Sequence, residues 1–484
     1  MEVSIMFKKF FSKKLSSNYH HQNNALDKMN IASSDIKVEV KSNSHRYRNI
    51  LVPSISFTIA LAIVLPITII NVNKPIDNTN AVTPNTDGII MRLNEPVKDV
   101  NSDYTLSNSY LSAINHFSAD MMNLLKKEKN DLVFSPLSIA TCMSMLYEGS
   151  ASKMKEELAD ILYIDDSLYS HLEEIQHMLL STHIAKSIED NAAYLDINQA
   201  IFPDMGFKDM LKQEYISTLT DYYFADVITG RYSEGKMGEI VADYINDKTN
   251  NFLDVQPFDF TADTLLVLLN TLYMKANWYK DEVHKLLINH TFTNLDGSEV
   301  DYDQYLAYSV RPGNTSYVYE NECYEYVSIP LSFGFKYNIL LPKDNHLDIL
   351  DNPNTYLSLL DSTIRENETT KEKYDLDVYF PSFKERSFYS LLSKFNTLGL
   401  HSFDLSNMVN SNAHIGIDSI IHEAGIEINE YGIEGAAYTM ITVSTASAPI
   451  KYPVTRIVDV NHPFLYSITY KDLPLFVGAK STLK

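Results

Sequence analysis

An α+β fold is predicted by three features of the chain. Helical apolar spacing clusters early, strand-like alternation dominates late, and the two do not interleave as they would in a wound parallel sheet. The third feature is residues 421–447, IHEAGIEINEYGIEGAAYTMITVSTAS, which alternate like a sheet strand yet carry the glycine, serine and alanine of an exposed loop.

Residues 1–48 hold seven lysines and two arginines against four acids, in a chain whose formal net charge is −22. Polar and without an apolar period, they read as a disordered basic tail. Residues 50–70, ILVPSISFTIALAIVLPITII, are 21 uncharged residues, enough to cross a hydrocarbon core of about 30 Å as a helix. A cleaved signal peptide has a shorter leader and a shorter apolar core, so an uncleaved transmembrane signal-anchor is expected over 49–71. Basic residues ahead of it place the amino terminus in the cytoplasm, giving a single-pass type II membrane protein with the remainder extracellular. Residues 72–106 read as a polar linker, and the folded domain is expected over 107–484.

Within that domain Ile114, Phe117, Met121, Leu124 and Leu125 recur at helical spacing. Ile139, Met143 and Leu146 follow Ser135-Pro136, a helix entry with proline in its first turn. Further helices are expected at 152–162, 167–183 and 236–249. Strand composition marks Tyr194–Phe202, Leu265–Tyr273, Tyr317–Ile329, Lys336–Leu341 and Leu376–Phe380. The acidic balance excludes nucleic acid as a partner. The two cysteines, Cys142 and Cys323, lack metal or redox spacing and read as buried thiols.

Beyond Gly432 the alternation sets Ile433, Gly435, Ala437, Thr439, Ile441 and Val443 on one side. Glu434, Ala436, Tyr438, Met440, Thr442 and Ser444 fall on the other. The first face is small or apolar and uncharged, while the second tolerates solvent. This is a loop able to become a strand buried on one face.

These residues carry a resemblance. Glu430-Tyr431-Gly432-Ile433-Glu434-Gly435-Ala436-Ala437 is similar to the hinge of the serpins, in which the last residues of a central strand lead into a reactive loop. Phe134-Ser135-Pro136-Leu137-Ser138-Ile139-Ala140, Leu269 through Trp278, Asn461-His462-Pro463-Phe464-Leu465 and Pro474-Leu475-Phe476-Val477-Gly478 resemble further stretches of that family, in family order. The resemblance implies helices with large mixed and antiparallel sheets and an exposed reactive-centre loop. It gives Glu430, Gly432, Ile433, Gly435, Ala436 and Ala437 the role of hinge. Ser135, Ser138, Asn270 and His422 become the polar shutter beneath the middle of the main sheet, and Trp278 the breach where the loop first enters. Ile433 stands where inhibitory members carry threonine or serine, and Ser382 where a lysine is common.

Read without the family, the same residues give weak alternatives. A serine hydrolase lacks the G-x-S-x-G elbow. A zinc site at His422-Glu423 lacks its second histidine, Ile426 standing in its place. No metal or cofactor is expected, and no enzymatic activity. The resemblance implies a suicide-substrate inhibitor of a serine or cysteine endopeptidase, its target protease held as a covalent acyl complex by a monomer. The alternative is a non-inhibitory binding, carrier or chaperone protein of the same fold. Counting forward from Glu430 sets the reactive bond at Ala446-Ser447, with Lys451-Tyr452 and Arg456-Ile457 left open by the length of the loop.

Overall fold

The computed structural model describes residues 90–92, 106–165, 170–182, 193–279, 282–286, 290–310, 316–343, 346–410, 415–434 and 455–484. Its helices begin where side chains cap them. Ser107 accepts the Tyr110 N–H at the head of Asn108–Leu125, and Ser135 accepts the Ser138 N–H at the head of Pro136–Gly149, with Pro136 in the first turn. Ile114, Phe117, Met121, Met122 and Leu125 are buried along one face of the first helix, as their spacing predicts.

Strands supply the rest of the framework. A seven-stranded sheet runs, in spatial order, Ile90–Arg92, Asp226–Thr229, Ala193–Pro203, Leu266–Asn277, Gly432–Glu434, Ile421–Asn429 and Phe383–Ser390. The edge strand Ile90–Arg92 comes from the stretch read as linker and pairs antiparallel with Asp226–Thr229. A ten-stranded sheet contains the carboxy-terminal hairpin Phe464–Tyr470 and Leu473–Lys480, buried throughout. The run Tyr317–Ile329 is two strands rather than one, Ser316–Glu320 and Tyr324–Pro330. It turns because the Asn321 side-chain carbonyl accepts the N–H groups of Cys323 and Tyr324, at 2.9 and 3.0 Å. Cys142 and Cys323 are unpaired and half-buried rather than fully buried.

One helix lies across the seven-stranded sheet. Met237, Val241, Ala242 and Ile245 of Met237–Lys248 pack with Ala200, Phe202, Ile228, Tyr232 and Val255 in a core of their own. This cover explains why Ala193–Pro203 alternates at its start but is buried on both faces from Gln199 onward. Two contacts tie the helix to the segment that follows it. The Asn246 side chain both accepts from and donates to the Val255 backbone, at 2.7 and 2.8 Å. A Cβ on Gly238 would lie 1.8 Å from the Phe258 carbonyl oxygen, so only glycine permits the approach.

The type II membrane topology is corrected here. Among the described residues no helix is long and apolar enough to cross a membrane. The longest of them, Asn108–Leu125, spends its apolar residues on the core. Residues 50–70, on which the anchor and the extracellular placement rested, lie outside the described residues.

Candidate functional site

The site is a gap in the seven-stranded sheet. Leu266–Asn277 and Ile421–Asn429 are joined only at one end, by the three-residue strand Gly432–Glu434, which pairs antiparallel with both. Gly432 stands opposite Asn277 and Asn429, Ile433 opposite Ala276 and Ile428, and Glu434 opposite Lys275 and Glu427. Past Glu434 no described strand joins residues 266–274 to 421–426. A cavity of about 650 Å³ occupies that place, lined by Leu266 through Met274 and Ile420 through Ile426 and by Ser135, Ser138 and Cys142 behind them.

The turn into the gap is closely built. Glu430 and Tyr431 make it, and the Tyr431 N–H donates to Asn429 Oδ1 at 2.9 Å. Trp278 closes it from behind. Its indole N–H donates to the Asn429 carbonyl at 2.8 Å and its backbone N–H to the Tyr431 carbonyl at 3.3 Å, while its ring packs on Phe380 and Tyr337. Gly432 has φ +157, and a Cβ there would lie 2.2 Å from the Ala276 carbonyl oxygen. Ile433 is fully buried, as its side of the alternation predicts. Glu434 departs from expectation: on the face read as solvent-tolerant, it is only 6% exposed and pairs with Lys275 at 2.9 Å. Gly435, Ala436, Ala437 and the bond Ala446-Ser447 lie outside the described residues.

At the far end of the gap the predicted polar cluster is partly assembled. The Ser135 N–H donates to His422 Nε2 at 3.0 Å, and the Ser138 N–H to Ser135 Oγ at 3.2 Å. Asn270 faces the same cavity, but neither atom of its amide has a partner among the described residues. Sequence reasoning missed Tyr389, whose ring stacks on His422 at 6.4 Å and 10°. It also missed Ser387, which accepts the Val133 N–H at 3.3 Å. Both come from Phe383–Ser390, a strand whose composition gave no signal. Where the family commonly has a lysine, Ser382 donates to the Ile428 carbonyl at 2.8 Å and so still fastens the strand that leads to the hinge.

His422 accepts a backbone N–H, so its ring is neutral, and burial pushes its pKa down to about 3. In the unfolded chain the ring titrates near 6.5. Between those values the unfolded state binds a proton that the folded state refuses, so stability is complete above about 6.5 and declines as pH falls toward 3. Urea unfolding at pH 4.5 is expected to show roughly 2–3 kcal/mol less stability from this group than at pH 7. His422→Asn, which keeps an acceptor but cannot titrate, should lose that share of the difference. An unchanged pH dependence in the variant would refute the assignment.

In geometry this is a sheet with room for one more strand, entered at one end by the chain's own next segment. The chain belongs to the serpin family: a family model described as Serpin (serine protease inhibitor) matches residues 112–482. An uncharacterised serpin-like protein of Thermococcus kodakarensis is 25% identical over 378 residues, covering 76% of this chain and 84% of that protein. Human neuroserpin is 27% identical over 385 residues, covering 74% and 87%. The native-state structure of the thermophilic serpin Tengpin superposes with a TM-score of 0.62 at 18% identity, covering 79% of this chain and 96% of that one.

Proposed function

We propose that the chain inhibits a serine or cysteine endopeptidase as a suicide substrate. The protease attacks the loop after Glu434 and forms an acyl-enzyme. The cut end of the loop then enters the gap as a new strand and carries the attached protease with it before deacylation. The observation that carries this reading is that Gly432–Glu434 already pairs on both sides of the gap.

Continuing that register would set Val443 opposite Leu266, the first residue of its strand, so residues 435–443 match the length of the opening. It would set Thr439 between Asn270 and His422, within reach of the unpartnered Asn270 amide. The inward face so filled is Gly435, Ala437, Thr439, Ile441 and Val443, with no charge on it. Arg456-Ile457 is a poor bait. Both residues lie in Thr455–Asp459, paired parallel with Thr370–Pro381, and the Arg456 guanidinium binds Glu325 at 2.8 Å and Glu320 at 3.3 Å. This disfavours the Arg456 alternative, and Ala446-Ser447 stays the reactive bond of this reading with Lys451-Tyr452 as its alternative.

The test is a denaturing gel of the chain mixed with elastase-like, subtilisin-like and trypsin-like proteases. A denaturation-resistant band of combined mass, with a released fragment beginning at Ser447, is the expected result. Complete loop cleavage by all three without such a band would refute inhibition and leave the non-inhibitory binding or carrier role.

A further inference from the structure

Where the loop enters, the sheet aligns its charged residues in a single cross-strand row. Lys384 stands opposite Glu427, Glu427 opposite Glu434, Glu434 opposite Lys275, and Lys275 opposite Tyr194. Ion pairs close the two ends of the row, Lys384 with Glu427 at 3.4 Å and Lys275 with Glu434 at 2.9 Å. The order is cation, anion, anion, cation. Like charges directly opposite in a sheet repel, and this inner pair exists only while the hinge is in place. With the hinge withdrawn, Glu427 keeps Lys384 on one bank of the gap, and Lys275 faces the opening from the other.

The row is roofed on its outer side. The Tyr273 hydroxyl donates to Glu434 at 3.4 Å and meets the Asn250 amide at 3.5 Å. Asn250 and Asn251 hold left-handed backbone, φ 52 and 58, so that the chain turns at the end of Met237–Lys248 and lays Phe252 beneath Lys384. Asp196, opposite Tyr273 and accepting from the Tyr194 hydroxyl at 3.3 Å, and Asp247, at the end of that helix, are the further charges acting on this side. Under the roof, burial holds the Glu434 carboxyl above the ordinary carboxylate range and Glu427 adds to the rise, while Lys275 and Tyr273 act against it.

We propose that Glu434 is a positioning residue that sets how far the loop rests in the sheet, and that this charge row is a proton-linked detent: a proton on Glu434 holds the hinge in, and its loss favours withdrawal. The inference rests on reading residues 430–447 as a bait loop that moves into the sheet. The sign follows from linkage. Withdrawn into water, Glu434 titrates in the ordinary range, whereas in the sheet it keeps its proton to a higher pH. Insertion therefore gains as pH falls through the raised value and levels off below the ordinary one, with a slope of at most about tenfold per pH unit for one proton. His422, held neutral down to about pH 3, stays outside this window.

Trp278 is the only tryptophan and is bonded to the turn at Asn429 and Tyr431, so its emission reports the position of the hinge. The experiment follows tryptophan emission and the rate of loop nicking by dilute subtilisin from pH 8 to pH 4.5. It uses the full chain at constant ionic strength, with nicking normalised to an unstructured peptide. In the wild type, emission should shift and nicking should slow several-fold toward acid. Glu434→Gln should show the acid-side values at every pH. Glu427→Gln, which removes the neighbouring charge, should move the midpoint to lower pH. A wild-type profile in Glu434→Gln, or an unmoved midpoint in Glu427→Gln, overturns the detent. Covalent complex formation at pH 8 is read separately. A chain that forms no complex but loses its pH profile in Glu434→Gln keeps the detent and refutes the inhibitor. A chain that forms the complex with an unaltered profile does the reverse.

Discussion

Cutting the loop between Glu434 and Thr455 is expected to raise the midpoint of thermal unfolding by about 20 °C. The two strands that flank the gap expose their backbone edges along residues 266–274 and 421–426. Filling the gap with residues 435–443 pairs each inserted residue on both sides. That adds roughly 18 hydrogen bonds at about 1 kcal/mol net each. Burial of Ala437, Ile441 and Val443 contributes about 5 kcal/mol more, and ordering the nine residues costs about 13 kcal/mol. The balance is about 10 kcal/mol, which at about 2 °C per kcal/mol for a large domain gives the stated shift. Differential scanning calorimetry of intact and nicked protein reads it directly. A nicked chain that melts with the intact one would show that the gap is not filled, and the proposed mechanism would fail with it.

Ile433 bears on whether this insertion can start. Its bulk, set against the threonine or serine of inhibitory serpins, suggests a slow first step. In the structure that step is already taken: Ile433 sits fully buried opposite Ala276 and Ile428 before any cut. The residues that follow on its face are smaller or no larger, so the first side chain does not set the barrier to the rest.

What the sequence made legible here is what is local to it. Period-two alternation names Ile426 and Ile428 before the turn and Ile433 after it as inward, and a serine before proline marks the helix entered at Ser135 that carries Ser138. The burial of Glu434 was not legible, because the side chains that meet it, Tyr273 and Lys275, come from a strand some 160 residues away. The charge row was hidden for the same reason: each member sits in an unremarkable strand, and only cross-strand register assembles them. Tyr389 and Ser387 lie in a strand with no apolar run to announce it. The Asn321 turn splits a run whose composition reads as one strand, since an Asx turn interrupts β pairing without interrupting β propensity.

Gly432→Val should nearly abolish trapping while leaving the loop at least as easy to cut as before. At this position a Cβ would lie 2.2 Å from the Ala276 carbonyl oxygen and 2.8 Å from Asn277 Cα, and both belong to the backbone of the central strand, which cannot yield as a side chain can. A φ of +157 is a further strain for a β-branched residue. The hinge strand should therefore be lost at rest, and after cleavage the loop should enter the sheet against a barrier raised by about 3 kcal/mol. Inhibition is a race between insertion and deacylation, and 1.4 kcal/mol is a factor of ten in rate, so the acyl-enzyme should hydrolyse about a hundred times more often per complex formed. The gel then shows full loop cleavage, at or above the wild-type rate, with little covalent band, and Gly432→Ala falls between. A misfolded chain would be cut at many sites, so a single released fragment beginning at Ser447 separates this loss from misfolding. A covalent band of wild-type intensity in Gly432→Val would show that trapping does not require the three-residue entry at Gly432–Glu434, and the gap would need another occupant.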